Sequence, residues 1–152
     1  MLGRFRAQNT LTTYMPETHL KAHESIENYL ETILVLSEDG HQVRSIDIVN
    51  ELDYSRPSVS VAMKNLREKG YIEIDAEGFI VLTADGRKIA ESTYDRHVLF
   101  SDWLIYLGVD KKTAVSDACR MEHSMSEMSY LAIKNHIQNW KRDVYRPKES
   151  AD

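Results

Sequence analysis

Apolar residues first settle into a helical rhythm after His23. Ile26, Tyr29, Leu30, Ile33 and Leu34 recur at spacings of three and four, which is one face of a helix. Residues 1–22 are polar and weakly patterned and read as an N-terminal arm. The run "SEDGH" closes the first helix with a glycine just beyond its last turn. Asn28 and Glu31 fall on the side opposite the apolar stripe, so the pattern by itself assigns them to solvent.

The next segment, "VRSIDIVNELDYSRPSVSVAMKNLREKG", predicts two short helices joined by "DYS". Ser45 is the predicted N-cap for Ile46 to Leu52, and Ser55 caps the second helix. Pro57 stands in that helix's first turn, where a missing N–H costs little. Val59, Ala62, Met63 and Leu66 form its buried stripe, and Gly70 ends it. "YIEID" and "FIVL" follow as two β-rich runs around "AEG", a predicted hairpin. Helix, turn, helix and hairpin in that order, with short connections, specify a winged helix-turn-helix over residues 23–82. A generic α+β fragment is the plainer alternative, and the ordered set of four elements argues against it.

Thr83 caps a long predicted helix that runs to Gly108. Its later half carries Val98, Leu99, Phe100, Trp103, Leu104 and Leu107, too much apolar surface to lie alone on a small lobe. A shorter helix is predicted from Ala114 to His123 and another from Ser126 to about Trp140. The fold class is therefore mainly α with a small β-hairpin. The winged helix is followed by a helical half over 83–142, and residues 143–152 form a polar tail.

Composition narrows the classes. The 152 residues are 42% hydrophobic and 28% charged, which is a globular balance and not that of a disordered or fibrous chain. No apolar run approaches the roughly 18 residues of a membrane span, and the start lacks a signal-peptide core, so no membrane partner is expected. A single cysteine excludes an internal disulfide framework and points to a cytoplasmic location. The net charge of −5 gives no global basic signal. Locally the sign inverts: Ser55 to Gly70 holds Arg56, Lys64, Arg67 and Lys69 against Glu68, a local +3. A solvated helix face would look similar. The helix N-terminus, however, is the end that enters a major groove in this motif. Ser55, Arg56, Ser58, Ser60 and Lys64 are the candidate phosphate and base-edge contacts on double-stranded DNA, and Pro57 and Val61 can meet thymine methyls.

The chemistry-bearing stretch is "ACRMEHSMSE". Cys119, Glu122 and His123 share one helix face and offer a thiolate, a carboxylate and an imidazole, three common ligand types for first-row metals. A half-buried cysteine beside a surface Glu–His pair is the alternative on spacing alone. Catalysis is disfavoured, because a Cys–His dyad on one helix has no evident oxyanion loop or orienting group.

These residues, with "ENYLETI", "SRPSVSVAMKNLREKGYI", "VLTADGRKIA" and "DRHVLFSDWL", resemble the diphtheria toxin repressor and manganese transport regulator family. The resemblance runs from His23 to about His136 in the family's order. It implies a homodimeric repressor whose affinity for a DNA operator rises when Fe(II) or Mn(II) binds, acting on metal uptake genes. It also implies a metal site drawn from Asn28, Glu31, His97, Cys119, Glu122 and His123, and it makes the helical half a metal-binding and dimerisation domain. The site is mixed. Iron-type members carry methionine and manganese-type members aspartate where this chain has Asn28. Glu31 matches the manganese type, and Cys119 matches the iron type. A thiolate suits Fe(II), with Mn(II) second, and tolerates Zn(II), Co(II) and Ni(II). Ser101 replaces the acidic residue of the iron-type ancillary site, so that site is not expected. Nor is the SH3-like domain of the long members. The alternative is a metal-independent winged-helix regulator with Cys119 as a redox or effector sensor.

Overall fold

A computed structural model describes residues 22–144 of the chain. The predicted arm and tail therefore lie almost wholly outside the described residues. In order the elements are α1 (Ala22–Leu36), β1 (Val43–Arg44), α2 (Ser45–Leu52), α3 (Arg56–Glu68), β2 (Ile72–Ile74), β3 (Phe79–Leu82), α4 (Ala84–Tyr106), α5 (Lys111–Ser124) and α6 (Glu127–Val144). A single 3₁₀ turn, Glu38–Gly40, follows α1.

The hairpin is joined by a third strand that the sequence reading did not predict. The antiparallel order is β1-β3-β2, with Ile80 opposite Val43 on one side and Ile74 on the other. A strand of two residues is too short to show an alternating period, which is why it escaped notice. Its presence also moves the start of α2. Ser45 is the first helical residue and not the cap, and Arg44 takes the cap position, its N–H donating to Asp47 Oδ2 at 2.8 Å. The other caps follow local chemistry. The Ser58 N–H donates to Ser55 Oγ, and the Gly86 N–H donates to Thr83 Oγ1. The C-terminal boundaries shift slightly: α4 stops at Tyr106, two residues before Gly108, whose φ of +96° turns the chain. α5 begins earlier than predicted because the Asp110 carboxylate caps it through the Thr113 N–H.

Two apolar clusters form. The larger gathers Leu30 and Ile33 of α1 with Ile48, Val59, Met63 and Ile80, so the helix-turn-helix and the sheet share one core. Each such side chain, fully buried, contributes about 1.5–3 kcal/mol. The smaller joins Phe100 of α4, Ala118 of α5 and Tyr130 of α6, with the two rings edge to face at 6.1 Å. α1 belongs to both halves, because α4 packs along it as well. Every residue from Asn28 to Ile33 is consequently buried. This overturns the assignment of Asn28 and Glu31 to solvent: they are 4% and 1% exposed. The polar side of α1 faces the second half of the molecule and not water.

The joint between the halves is tight. A Cβ on Gly86 would lie 1.9 Å from the Tyr71 carbonyl oxygen, so only glycine fits in the first turn of α4. The same carbonyl accepts the Thr83 N–H at 3.0 Å.

Candidate metal centre and nucleic-acid interface

α1, α4 and α5 each turn polar side chains into one enclosed pocket. α5 supplies Cys119, Glu122 and His123, with one donor atom from each within 4.8 Å of the others. Glu31 of α1, His97 of α4 and the same Glu122 form a second such group. Five of the six predicted ligands thus meet, and Glu122 belongs to both groups. Asn28 is buried one turn before Glu31 on α1.

The pocket leaves polar atoms unsatisfied. Both oxygens of Glu31, Oε1 of Glu122, Nε2 of His123 and Nδ2 of Asn28 are buried without a hydrogen-bond partner. His123 Nε2 and Glu122 Oε1 are 3.2 Å apart, but not in hydrogen-bonding alignment. An orphaned buried carboxylate costs several kcal/mol unless something offsets it. Apart from the Asn28 amide nitrogen, the orphans are electron-pair donors of the types that divalent metals take, so the residues present fit such an ion.

Electrostatics point the same way. Burial pushes the Glu31 carboxyl well above the usual range, and the Glu122 charge adds to this while His123 opposes it. Burial likewise raises the Cys119 thiol; the neighbouring His123 ring lowers it, and the Glu122 and Glu31 charges raise it further. For His123, burial disfavours the imidazolium. The nearby Cys119, Glu122 and Glu27 side chains outweigh that and push it up to about 12. Without a cation the pocket therefore retains protons at neutral pH.

The helix α3 presents a different surface. Ser55, Arg56, Pro57, Ser58, Ser60, Val61 and Lys64 are all exposed, Val61 at 60%. Val59, Met63 and Leu66 are buried beneath them, as the stripe predicted. A valine so exposed at a helix N-terminus has no packing role in the monomer. The wing tip, by contrast, is acidic: Asp75 and Glu77 flank the turn before Gly78.

Family comparisons divide the chain at the joint seen in the fold. Residues 21–78 match the N-terminal DNA-binding domain of the iron-dependent repressors, and residues 83–149 match their metal-binding and dimerisation domain. The chain belongs to the iron-dependent repressor family. It is 36% identical over 115 residues to the transcriptional regulator MntR of Escherichia coli, covering 76% of this chain and 74% of that protein. The HTH-type transcriptional regulator MntR of Bacillus subtilis is 30% identical over 125 residues, with 82% and 88% coverage. Among solved structures, the manganese regulator SloR superposes with a TM-score of 0.67 at 25% identity, over 74% of this chain and 53% of SloR. The chain thus spans about half of the length of SloR. IdeR of T. acidophilum shares the fold, with a TM-score of 0.62 at 18% identity over 80% of this chain and 55% of IdeR.

Three residues around the pocket of this repressor-family chain were missed by sequence reasoning. Glu27 Oε2 lies 2.8 Å from His123 Nδ1, which fixes the ring and turns Nε2 inward. Glu122 Oε2 does the same for His97 Nδ1, also at 2.8 Å. Arg96 donates to the carbonyls of Glu122 and Met125, pairs with Glu127 and lies over the Tyr130 ring, locking the end of α5. Tyr54, from the turn before α3, is half-buried; burial raises its hydroxyl above the ordinary value, Asn28 opposes this, the Cys119 charge adds to it and His123 lowers it. Glu27 sits beside Asn28 in sequence, but only its contact across 96 residues marks it.

Proposed function

We propose that the chain is a metal-activated DNA-binding repressor in which Asn28, Glu31, His97, Cys119, Glu122 and His123 hold Fe(II), or second Mn(II), with Zn(II), Co(II) and Ni(II) accepted. The observation that carries this reading is the set of orphaned buried donor atoms on Glu31, Glu122 and His123. A bound divalent cation would supply the positive charge that two buried carboxylates and a thiolate lack. The Cys119 sulfur favours iron over manganese, because thiolate is the softer donor. Sharing of donors ties α1, which carries the helix-turn-helix core, to α4 and α5.

The DNA-facing residues are Ser55, Arg56, Pro57, Ser58, Ser60, Val61 and Lys64. Their support is common exposure on one helix end with a buried stripe behind. Residues 23–82 act as the reading head and 83–142 as the metal-binding and dimerisation half. Tyr106, Leu107, Met128 and Leu131, apolar and exposed on or beside α4 and α6, support pairing of two copies. A fixed distance between two reading heads would match half-sites about one DNA turn apart. Metal uptake genes are the regulated class this reading implies.

The test uses duplexes that the metal-loaded protein selects from a random-sequence pool. Anaerobic titration with Fe(II) or Mn(II) should tighten binding, with a coupling of about 1–3 kcal/mol. Unchanged affinity overturns the reading. Glu122→Ala should abolish the metal response and keep salt-dependent non-specific binding. Lys64→Ala should weaken binding at every metal level and lower the salt slope by about one.

A further inference from the structure

Arg96 directly precedes the pocket residue His97 on α4, but its side chain runs to the corner between α5 and α6. One guanidinium nitrogen, Nη1, donates to two carbonyls, that of Glu122 at 3.3 Å and that of Met125 at 3.1 Å. The other, Nη2, pairs with the Glu127 carboxylate in the first turn of α6. The guanidinium also lies over the Tyr130 ring, 4.6 Å from its centroid, and that ring meets Phe100 of α4 edge-on. The Arg96 side chain is 14% exposed, so these contacts stand largely in place of water.

Part of this arrangement is plain stabilisation. Carbonyls in the last turn of a helix lack intrahelical partners, and a cation there complements the helix dipole. The identity of the carbonyl adds more. Glu122 belongs to both donor groups of the pocket. Its carboxylate lies 2.8 Å from His97 Nδ1, while its backbone is held by the preceding residue of the same helix. Glu122 is thus fastened to α4 at both ends. On its far side the guanidinium holds Glu127 and Tyr130, which flank Met128, a methionine exposed at 82%. Resting on the metal-activated reading above, we propose that Arg96 is a positioning residue. Its guanidinium holds the backbone of the shared donor Glu122 against α4 and carries occupancy of the pocket into the first turn of α6. Arg96 is not a donor to the ion, because a guanidinium has no lone pair to give. Lysine is no substitute. An ammonium keeps the charge but lacks the planar fork that serves two carbonyls, a carboxylate and a ring at once.

The experiment uses the full chain and needs no DNA. Co(II) binding is followed by the absorption of the bound ion, and backbone hydrogen exchange over residues 124–134 is measured without and with saturating Co(II). In the wild type, Co(II) should slow exchange in this segment by about fivefold or more. Glu127→Gln breaks the α6 arm alone. It should bind Co(II) with little change and lose most of the slowing. Arg96→Lys keeps a charge at the end of α5. It should bind Co(II) about tenfold more weakly and lose the slowing as well. Lys134→Met removes the other cation on the Tyr130 ring, 5.6 Å from its centroid, and should retain the wild-type response. Wild-type slowing in Arg96→Lys would mean that charge alone suffices, and it overturns the inference. Wild-type slowing in Glu127→Gln does the same, a result that stands even where Arg96→Lys fails to fold. Loss of the slowing in Lys134→Met would trace the effect to the ring instead of the fork and is equally fatal. The inference also falls if the wild type binds Co(II) and residues 124–134 do not respond. Absence of Co(II) binding by the wild type sinks the metal-activated reading itself and is seen in the absorption arm alone.

Discussion

Asn28 brings a neutral amide to a pocket whose other oxygen donors are carboxylates, and Cys119 brings a soft donor to the same place. The neutral amide adds nothing to the negative charge that Glu31 and Glu122 have to share, at 1% exposure each. Replacing the sulfur with a hard oxygen donor, Cys119→Glu, should shift preference toward Mn(II) over Fe(II) and Co(II). Competitive metal titration checks this, and an unchanged ranking counts against a ligand role for Cys119. Glu27 acts one step further out, because its carboxylate holds the His123 ring by Nδ1. Glu27→Gln should weaken metal binding by about 10–100-fold while leaving metal-free DNA affinity alone. Calorimetry on the two proteins distinguishes this from a general loss of fold.

Among the elements, the wing and the start of α4 have opposite tolerances. The wing turn is organised by Asp75, whose Oδ1 accepts the N–H groups of Glu77 and Phe79 at 2.9 and 2.8 Å. Glu77 itself is exposed and adds negative charge to the wing. Glu77→Lys should strengthen DNA binding, more so at low salt, with no change in thermal stability. Salt-dependent titration reads this directly, and an unaltered affinity would mean that the wing stays clear of the duplex. Gly86 has no such freedom, because the Tyr71 backbone blocks any side chain. Gly86→Ala should destabilise by about 1–3 kcal/mol and loosen the joint between halves; chemical denaturation measures it. The element-level reading of the sequence succeeded where the signal was local. The stripe of Val59, Met63 and Leu66 and the caps at Ser55 and Thr83 depend on residues three or four apart. It failed at β1, whose two residues become a strand only through pairing with β3.

In the whole molecule, the pocket joins protonation to folding. Glu31, Cys119 and His123 all hold protons more tightly in the folded chain than when exposed. Where the native state binds more protons than the unfolded one, stability falls as pH rises. The metal-free protein should therefore melt at lower temperature as pH increases from about 5 to about 8. For His123 the stabilisation is complete below its ordinary value of 6.5 and is lost as pH climbs toward about 12. Ion binding displaces those protons, so metal affinity should rise over the same interval and the slope of the melting curve should flatten. Thermal melts at several pH values, with chelator and with Mn(II), test both statements. A metal-free melting temperature that climbs across this range would contradict them.

The sequence by itself determined the winged helix-turn-helix, the exposed end of α3 and the juxtaposition of Cys119, Glu122 and His123, because each arises from spacing within one element or its neighbour. The family resemblance supplied Asn28, Glu31 and His97 as companions, but not their surroundings. Only the tertiary structure decided that α1 is enclosed on both sides. That enclosure turns a polar stripe into the wall of a buried pocket, leaves the oxygens of Glu31 without partners, and brings Glu27 to it. Desolvation is a property of what packs around a side chain from every direction, and the period of one helix records only one of those directions.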